Sequence, residues 1–308
     1  MEGTICSPTE KRIAVVTGGN KGIGLEICRQ LALNGVRVIL TARDEKRGQE
    51  AVEKLRKCGL FDVLFHQLDV TDSSSIASFA DFVGTEFGKL DILVNNAAIV
   101  GLTIDVEALQ ASKQSNNVQE AKDVKDIPDW KKPYMRETLE RAEECFKTNY
   151  YGTRDVTEAL IPLLQSSISG RVVNVSSSLG QLRVISNEKL KQDLSNVDGL
   201  TEERLVELLN LFIKDFKEGF LDAHGWPTIA SAYKLSKVLI NAYTRILAKK
   251  YPALCINCVN PGYVKTDLNG NTGILSTKEG AEGPVMLALQ TGTGPSGLFF
   301  DQTEVSTF

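Results

Sequence analysis

Short apolar runs alternate with amphipathic segments along most of the chain. The apolar runs are rich in Val, Ile and Leu, as buried strands are, and lie at 12–17, 36–41, 62–68, 90–95, 170–176 and 253–259. Between the first four, apolar residues at helical spacing predict helices at about 25–33, 44–58 and 73–87. Strands that alternate with helices form βαβ units with a parallel sheet. No linker or repeat interrupts this order, so we predict one α/β domain over residues 1–308, a doubly wound sheet with helices on both faces.

Two segments break the alternation and are predicted to be insertions that cover the functional site. The first, at about 103–133, is polar and rich in charged residues, and the second spans about 187–227. In the second, Thr201 is a candidate N-cap followed by two acids, which is typical of a helix start. Apolar residues then fall on one face of this helix, at Leu205, Leu208, Leu209, Phe212 and Phe216.

Composition narrows the class of protein. The chain has 308 residues, 42% of them hydrophobic, and a net charge of −4, which is ordinary for a globular protein. The absence of excess basic charge argues against nucleic-acid binding. The first residues lack the basic start and apolar stretch of a signal peptide, and no 18-residue apolar run is present. We therefore expect a cytoplasmic protein that spans no membrane and keeps its cysteines reduced.

Cys255 and Cys258 form a C-x-x-C pair, which can mark a zinc or redox site. They fall in a predicted strand, where residues three apart point to opposite faces. The chain has only two histidines, and no second Cys/His pair completes a metal site. We favour structural cysteines and predict no bound metal.

A glycine-rich turn lies between the first strand and the first helix. Gly18, Gly22 and Gly24 let the backbone turn tightly, and the following helix directs free N–H groups at an anion. A plain structural turn is the alternative. The position in the first βαβ unit favours a dinucleotide pyrophosphate site of the Rossmann type.

The end of the second strand favours NADPH over NADH. Sites for NAD usually carry an acid there for the ribose 2′-hydroxyl, but Arg43 follows this strand. A guanidinium binds a phosphate through two parallel hydrogen bonds, and Arg47 lies one helical turn further on. Lys21 in the glycine turn is a third candidate for the 2′-phosphate. Asp44 is open to two interpretations, a ribose ligand or, as we prefer, a helix cap.

Tyr233 and Lys237 are a candidate acid/base pair. Their i, i+4 spacing places both on one helix face, although an exposed pair without function has the same pattern. A free tyrosine has a pKa near 10, and a neighbouring ammonium stabilises the phenolate and lowers that pKa. Ser177, at the end of a predicted strand, is a candidate hydrogen-bond donor to a substrate oxygen.

These motifs together resemble the short-chain dehydrogenase/reductase family. They occur in the family's order at residues 17–24, Asp69, 95–97, Asn149, 176–178, Tyr233 with Lys237, and 261–266. The resemblance covers about residues 10 to 300. A closer resemblance is to the monomeric carbonyl reductases and their plant relatives, the salutaridine and menthone reductase group. It is carried by segments 41–44, 149–155 and 225–227 and by the long separation between Ser177 and Tyr233.

The resemblance implies a role for each matched residue. Tyr233 donates a proton to the carbonyl oxygen, Lys237 lowers its pKa and binds the nicotinamide ribose, Ser177 holds the carbonyl oxygen, and Asn149 completes a proton relay through water. The choice of Ser177 within the run 176–178 rests on its spacing to Gly180. Asp69 contacts adenine, Asn95 and Ala97 shape the adenosine side, and Val264 and Thr266 contact the nicotinamide amide and the phosphates. The full set of expected cofactor-binding residues is Gly18, Asn20, Lys21, Gly22, Ile23, Gly24, Arg43, Arg47, Asp69, Val70, Asn95, Ala97, Tyr233, Lys237, Pro261, Gly262, Val264 and Thr266.

The resulting prediction is an NADPH-dependent carbonyl reductase for a small apolar ketone or aldehyde, such as a terpenoid or alkaloid ketone. One alternative is an enone C=C reductase of the same fold, in which the resemblance implies that the tyrosine is replaced. Another is a non-catalytic NADPH sensor, which would lack the Tyr/Lys pair. Expected pocket walls are the segment after Ala98, Leu179, Leu182, Val184, the region near Trp226 and the loop after Thr266.

We expect a monomer. The resemblance implies that compact relatives associate through helices that correspond to about 159–164 and 233–249. The apolar stripe of the second insertion is predicted to cover that surface. Dimerisation through another surface remains the alternative.

Overall fold

The computed structural model describes residues 11–115, 129–196, 198–292 and 294–308. Its centre is a sheet of eight strands in the order β10-β9-β8-β7-β4-β1-β2-β3. All neighbours are parallel except β9 and β10, which are antiparallel. The strands are β1 (Ile13–Val16), β2 (Arg37–Ala42), β3 (Val63–Gln67), β4 (Ile92–Asn95), β7 (Arg171–Val175), β8 (Cys255–Asn260), β9 (Phe299–Asp301) and β10 (Glu304–Ser306). The predicted doubly wound sheet is confirmed.

Helices cover both faces of this sheet. They are α1 (Gly22–Leu33), α2 (Glu45–Lys57), α3 (Ser73–Phe87), α4 (Val106–Ser115), α5 (Leu139–Phe146), α6 (Gly152–Gln165), α7 (Glu188–Ser195), α8 (Glu202–Glu218), α9 (Ser231–Lys250) and α10 (Thr277–Leu289). One apolar core lies beneath α1, α2 and α10, and a larger one beneath α3, α6, α8 and α9. The sheet is therefore buried on both sides, which explains why its strands are continuous apolar runs.

The first insertion contributes a short antiparallel pair, β5 (Thr103–Ile104) with β6 (Met135–Arg136). It also contributes α4 and a 3₁₀ turn, Asp129–Tyr134. Part of the predicted segment, 116–128, lies outside the described residues.

The second insertion forms α7 and α8, and its predicted apolar stripe is buried against α5 and α9. The Phe212 ring lies 5.4 Å from Phe146 and 5.5 Å from Trp226, both edge to face. The Trp226 indole donates to the Asp215 carboxylate at 2.7 Å. Trp226 is thus a core residue of this insertion.

The C-x-x-C cysteines lie on β8 as predicted, and both are free thiols. Cys258 is buried, whereas Cys255 is only half-buried. Across the described residues no cluster of His, Cys, Asp or Glu has the arrangement of a metal site. In the same part of the chain, no helix is both long and apolar enough to cross a membrane.

Candidate active site

A cavity of about 440 Å³ opens at the carboxyl ends of the central strands. Ligands in doubly wound folds bind at this edge, where the strand order reverses, here between β1 and β4. Seven residues predicted from the sequence line the cavity together: Ile23, Ser177, Tyr233, Pro261, Gly262, Val264 and Thr266. The cavity therefore joins the candidate catalytic groups to the predicted cofactor loop.

Tyr233 and Lys237 lie one turn apart on α9, and the Lys237 side chain is fully buried. The Lys237 ammonium donates to the Val175 carbonyl oxygen at 2.8 Å and lies 5.7 Å from the centroid of the Tyr233 ring. The exposed-pair interpretation is thereby excluded, because a buried lysine next to a cavity is not a solvated surface residue.

Ser177 is the serine of the 176–178 run that hydrogen-bonds the Tyr233 hydroxyl. Its own Oγ also accepts the Leu179 N–H at 3.1 Å, which holds the start of a 3₁₀ turn. That turn packs directly on α9: a Cβ on Gly180 would come within 2.8 Å of the Lys237 backbone. Only glycine permits this approach, which sets Ser177 beside Tyr233.

Burial is the main cause of the pKa shifts of Tyr233 and Lys237. Desolvation raises the pKa of Tyr233 to about 12, although the Ser177 hydrogen bond lowers it somewhat. Desolvation lowers the pKa of Lys237 to about 8. The pKa of Tyr233 therefore moves in the direction opposite to the lowering expected from a neighbouring lysine, because removal of the phenol from water is the largest cause of its shift. Tyr233 is consequently a protonated donor at neutral pH.

Asn149 lies in a π-helical turn, Lys147–Tyr151, between α5 and α6. Such turns often occur at functional sites. Its buried amide accepts the Ile99 N–H at 2.9 Å and donates to the Ile99 carbonyl at 2.9 Å and to Ser236 Oγ at 3.0 Å. The side chain therefore braces the segment after β4 against α9. The water relay implied by the resemblance stays a prediction.

The glycine turn has the geometry of an anion cradle. Gly18 has a φ of +62°, and a Cβ there would lie 3.0 Å from the Ala97 Cα. The Asn96 amide donates to the Thr17 and Gly18 carbonyls at 2.9 and 3.2 Å, and Thr17 Oγ1 accepts the Asn96 N–H. Thr17 and Asn96 both lie inside the sequence motifs, but the motifs do not indicate that these two residues brace the turn.

Two other predicted cofactor residues are occupied by internal contacts. The buried Asn95 amide donates to Thr157 Oγ1 and Asn174 Oδ1, both at 2.8 Å, within the core. Asp69 accepts the Thr71 N–H and hydroxyl at 2.9 and 2.8 Å. Their contacts to adenosine remain predictions, as do those of Asn20, Val70 and Ala97.

The predicted phosphate cations are exposed. Arg43 follows β2 directly, and Arg47 lies in the first turn of α2. Asp44 is the helix cap, as we preferred, because its carboxylate accepts the Arg47 N–H at 2.9 Å. Lys21 instead lies 2.9 Å from Asp267 in an ion pair exposed on both sides. Such pairs are weak, so Lys21 can exchange this partner for a phosphate.

The expected substrate walls are confirmed in part. Leu179 lines the cavity, whereas Leu182, Val184 and Trp226 do not. The first insertion contributes Ile104, Leu109, Lys131 and Met135 to the lining. The second insertion contributes no lining residue among those described, because its apolar stripe is buried in the core beneath α8. Among the residues that the structure describes, only the first insertion therefore covers the site.

Glu137 was missed by the sequence analysis. Its carboxylate accepts the Ser231 N–H at 2.9 Å, the Ser231 hydroxyl at 3.0 Å and the Ala232 N–H at 2.8 Å. The N-cap of α9, Ala230, has a φ of +48° and offers no side-chain cap. The Glu137 carboxylate thus caps α9 next to Tyr233, although it lies almost a hundred residues earlier in the chain. No local sequence pattern predicts this contact.

We expect Glu137→Ala to lower the free energy of unfolding by about 2 kcal/mol, since charge-assisted hydrogen bonds to a helix start are lost. Glu140→Ala, in the first turn of α5, is an exposed control. Chemical denaturation measures both. Equal stability of the two variants would contradict the capping role.

Comparison with known proteins agrees with this geometry. Residues 12–189 match the family model described as short chain dehydrogenase. Salutaridine reductase from Papaver somniferum is 50% identical over 303 residues, 97% of each chain, and its solved structure has a TM-score of 0.88, covering 94% of this chain and 99% of that one. (+)-Neomenthol dehydrogenase from Arabidopsis thaliana is 52% identical over 301 residues, 96% of this chain and 98% of that one. (−)-Isopiperitenone reductase from Mentha piperita is 50% identical over 302 residues, 94% and 96%.

The fold and the site define an oxidoreductase that works with a nicotinamide cofactor. The chain belongs to the short-chain dehydrogenase/reductase family, and its similarity extends over nearly its whole length to plant reductases and dehydrogenases.

Proposed function

We propose that this protein is an NADPH-dependent carbonyl reductase that converts a ketone or aldehyde of a small apolar molecule to the alcohol. The observation that carries the proposal is the hydrogen-bonded pair of Tyr233 and Ser177 at the wall of a largely apolar cavity, with Lys237 buried behind it. A protonated phenol next to a hydroxyl is suited to an oxygen on which negative charge develops.

The residues present fit a nicotinamide dinucleotide. Gly18 and the N-terminus of α1 provide a cradle for the pyrophosphate, and Pro261, Val264 and Thr266 reach the cavity where the nicotinamide belongs. Ser176 Oγ is buried at the cavity and has no hydrogen-bond partner among the described residues. Arg43, Arg47 and Lys21 favour a 2′-phosphate and hence NADPH.

The bound cofactor supplies a hydride for the carbonyl carbon. Ser177 and Tyr233 hold the carbonyl oxygen, and Tyr233 transfers its hydroxyl proton to that oxygen as charge builds there. The Lys237 ammonium stabilises the phenolate that this leaves. Asn149 keeps α9 in register with the segment after β4 through Ser236 and Ile99.

The names of the relatives indicate the substrate class. Enzymes named for salutaridine, neomenthol and isopiperitenone lie at about 50% identity, so a terpenoid or alkaloid ketone of plant specialised metabolism suits this site. An enone C=C reductase is the second candidate, favoured by the similarity to isopiperitenone reductase. Retention of Tyr233 favours carbonyl reduction, and the complete Tyr/Lys pair argues against a non-catalytic NADPH sensor.

The test is NADPH oxidation at 340 nm with menthone, an alkaloid ketone, an aromatic aldehyde and an enone, followed by product identification. An alcohol as product supports the proposal. A saturated ketone from the enone would establish the C=C reductase instead. Tight NADPH binding without turnover of any of these compounds would point first to a different carbonyl substrate and second to the sensor.

We expect the rate of ketone reduction to fall as the pH rises above about 8. Because burial lowers the pKa of Lys237 to about 8, the ammonium is lost there and no longer stabilises the Tyr233 phenolate. The phenol itself stays protonated, since its pKa is about 12. The measurement is kcat against pH with saturating NADPH. Lys237→Arg, which stays charged, serves as the comparison. A wild-type rate that is flat to pH 10 would contradict this role.

We further propose a cytoplasmic, single-domain monomer. Leu205, Leu208, Leu209 and Phe212 of α8 are buried against the faces of α5 and α9, so α8 occupies the surface through which a second copy would bind. Light scattering at micromolar concentration should give the mass of one chain, 33.7 kDa. Twice that mass would show that dimers form through another surface.

A further inference from the structure

Tyr233 lies in the first turn of α9, the part of a helix that its own backbone hydrogen bonds hold least. The first such bond of α9 joins the Lys234 N–H to the Ala230 carbonyl at 2.9 Å. The N–H groups of Ser231 and Ala232 come before it and have no acceptor within the helix. Both residues are fully buried, so water does not reach these groups. The placement of Tyr233 therefore depends on the group that accepts these two N–H groups.

The Glu137 carboxylate accepts both of them. Its Oε2 atom accepts the Ser231 N–H at 2.9 Å and the Ser231 hydroxyl at 3.0 Å, and its Oε1 atom accepts the Ala232 N–H at 2.8 Å. Both carboxylate oxygens are thus engaged at the start of α9. Glu137 is not among the described residues that line the cavity. It therefore acts on the reaction through α9 and not by contact with a substrate.

The backbone just before these contacts is held in an uncommon conformation. Ala230 has φ +48° and ψ +43°, which is left-handed and unfavourable for a residue with a Cβ. Ala230 also lines the cavity. The bonds from Glu137 to the next two residues hold the chain here, since without them Ala230 can relax to a common conformation. That relaxation would rotate the start of α9 at the cavity wall.

The other side of Tyr233 is anchored independently of Glu137. The Ser236 hydroxyl donates to the Tyr233 carbonyl at 2.7 Å, and the Lys237 ammonium donates to the Val175 carbonyl at 2.8 Å. Loss of the Glu137 carboxylate would free only the leading side of the tyrosine. The phenol would then shift relative to Ser177, while Lys237 keeps its place.

We propose that Glu137 is a positioning residue for the reductase: its carboxylate fixes the first turn of α9 and so directs the Tyr233 hydroxyl at the carbonyl oxygen of the substrate. The inference rests on the proposed function and deepens it, because it assigns the geometry of the proton donor to a residue that directly follows β6 of the first insertion. A displacement of about 1 Å at a reacting group can slow a reaction by about 100-fold, so a cap this close to the donor has a large effect.

Glu137→Ala should slow single-turnover reduction by about 10- to 100-fold, measured with NADPH and the compound of the panel above that the wild type reduces fastest. The KM for that compound and the Kd for NADPH should change by less than about threefold, since the proposal gives Glu137 no contact with either. Glu137→Gln keeps one acceptor oxygen and should recover part of the rate. All assays are run at a temperature at which circular dichroism shows each variant fully folded, because loss of a cap lowers stability.

Asn187→Ala is the matched control. The Asn187 side chain accepts the Lys189 and Leu190 N–H groups at 3.0 and 3.2 Å at the start of α7. The substitution thus removes as many helix-start N–H contacts as Glu137→Ala does, but from a helix whose described residues do not line the cavity. The single-turnover rate should stay within a factor of about two of the wild type.

An NMR measurement without substrate separates this inference from the proposed function. In protein labelled with ¹³Cζ-tyrosine, the Tyr233 signal, assigned from its loss in Tyr233→Phe, reports the hydrogen bond to Ser177. It should shift in Glu137→Ala and stay in place in Asn187→Ala.

Four results would each overturn the inference and leave the proposed function standing: an unshifted Tyr233 signal, an unchanged rate in Glu137→Ala, equal rates in Glu137→Ala and Glu137→Gln, or equal slowing in Asn187→Ala. A shifted signal in a protein that forms no alcohol from any ketone or aldehyde would instead support the placement of Tyr233 by Glu137 and overturn the proposed function.

Discussion

Tyr233→Phe should lower kcat for ketone reduction by about 10²- to 10⁴-fold, the range expected when a positioned proton donor is removed. The substitution deletes one oxygen from a half-buried ring at the cavity wall and leaves the ring's packing in place. It also removes the hydrogen-bond partner of Ser177. NADPH affinity should change little, because the glycine turn and the loop after β8 are untouched. Single-turnover kinetics with NADPH in excess will isolate the chemical step.

Tyr243→Phe is the matched control for this experiment. Tyr243 lies on the same helix, is fully buried, and has a hydroxyl without a hydrogen-bond partner among the described residues. Its loss should leave kcat within a factor of about two. Equal activity of Tyr233→Phe and wild type would remove Tyr233 from the proton-transfer step and overturn the proposed mechanism.

Arg43→Ala should lower kcat/KM for NADPH by about 10- to 100-fold and leave the value for NADH unchanged. The physical reason is the loss of a charge-assisted, two-pronged hydrogen bond to the 2′-phosphate, worth about 1.5–3 kcal/mol. Arg43 is exposed directly after β2, so its side chain is accessible to a phosphate. Initial rates measured with each cofactor at a fixed ketone concentration will give the two values of kcat/KM and their ratio.

Lys54→Ala, an exposed cation further along α2, controls for a general change in surface charge. In this variant the ratio of kcat/KM for NADPH to kcat/KM for NADH should equal that of the wild type. Parallel losses with both cofactors in Arg43→Ala would indicate a structural defect. A wild-type preference for NADH would contradict the assignment of NADPH itself.

The alternation of apolar runs predicted six of the eight strands in the main sheet, because buried parallel strands are recognisable over a few residues. Helix ends were less accurate. The helix predicted from residue 25 begins at Gly22, since glycines have low helix propensity and only the packed turn shows that they are helical. The motif order also predicted Ser177, Tyr233 and Lys237, which the structure brings together.

Other features of the site depend on residues that are distant in sequence. The Glu137 cap of α9 and the Lys131–Tyr263 contact join separate segments, and no local pattern records either. Asn95 and Asn96 are identical neighbours, so the sequence does not indicate which side of the strand end each one faces. In the folded protein Asn95 enters the core, whereas Asn96 braces the glycine turn.

The sequence by itself thus determined the fold class, the family and the candidates for the reactive groups, because strand periodicity and motif order are local properties of the chain. The tertiary structure decided which insertion covers the cavity, which serine contacts Tyr233, and in which direction the pKa of Tyr233 moves. Those outcomes depend on packing and burial, which arise only when segments far apart in the chain come together and exclude water.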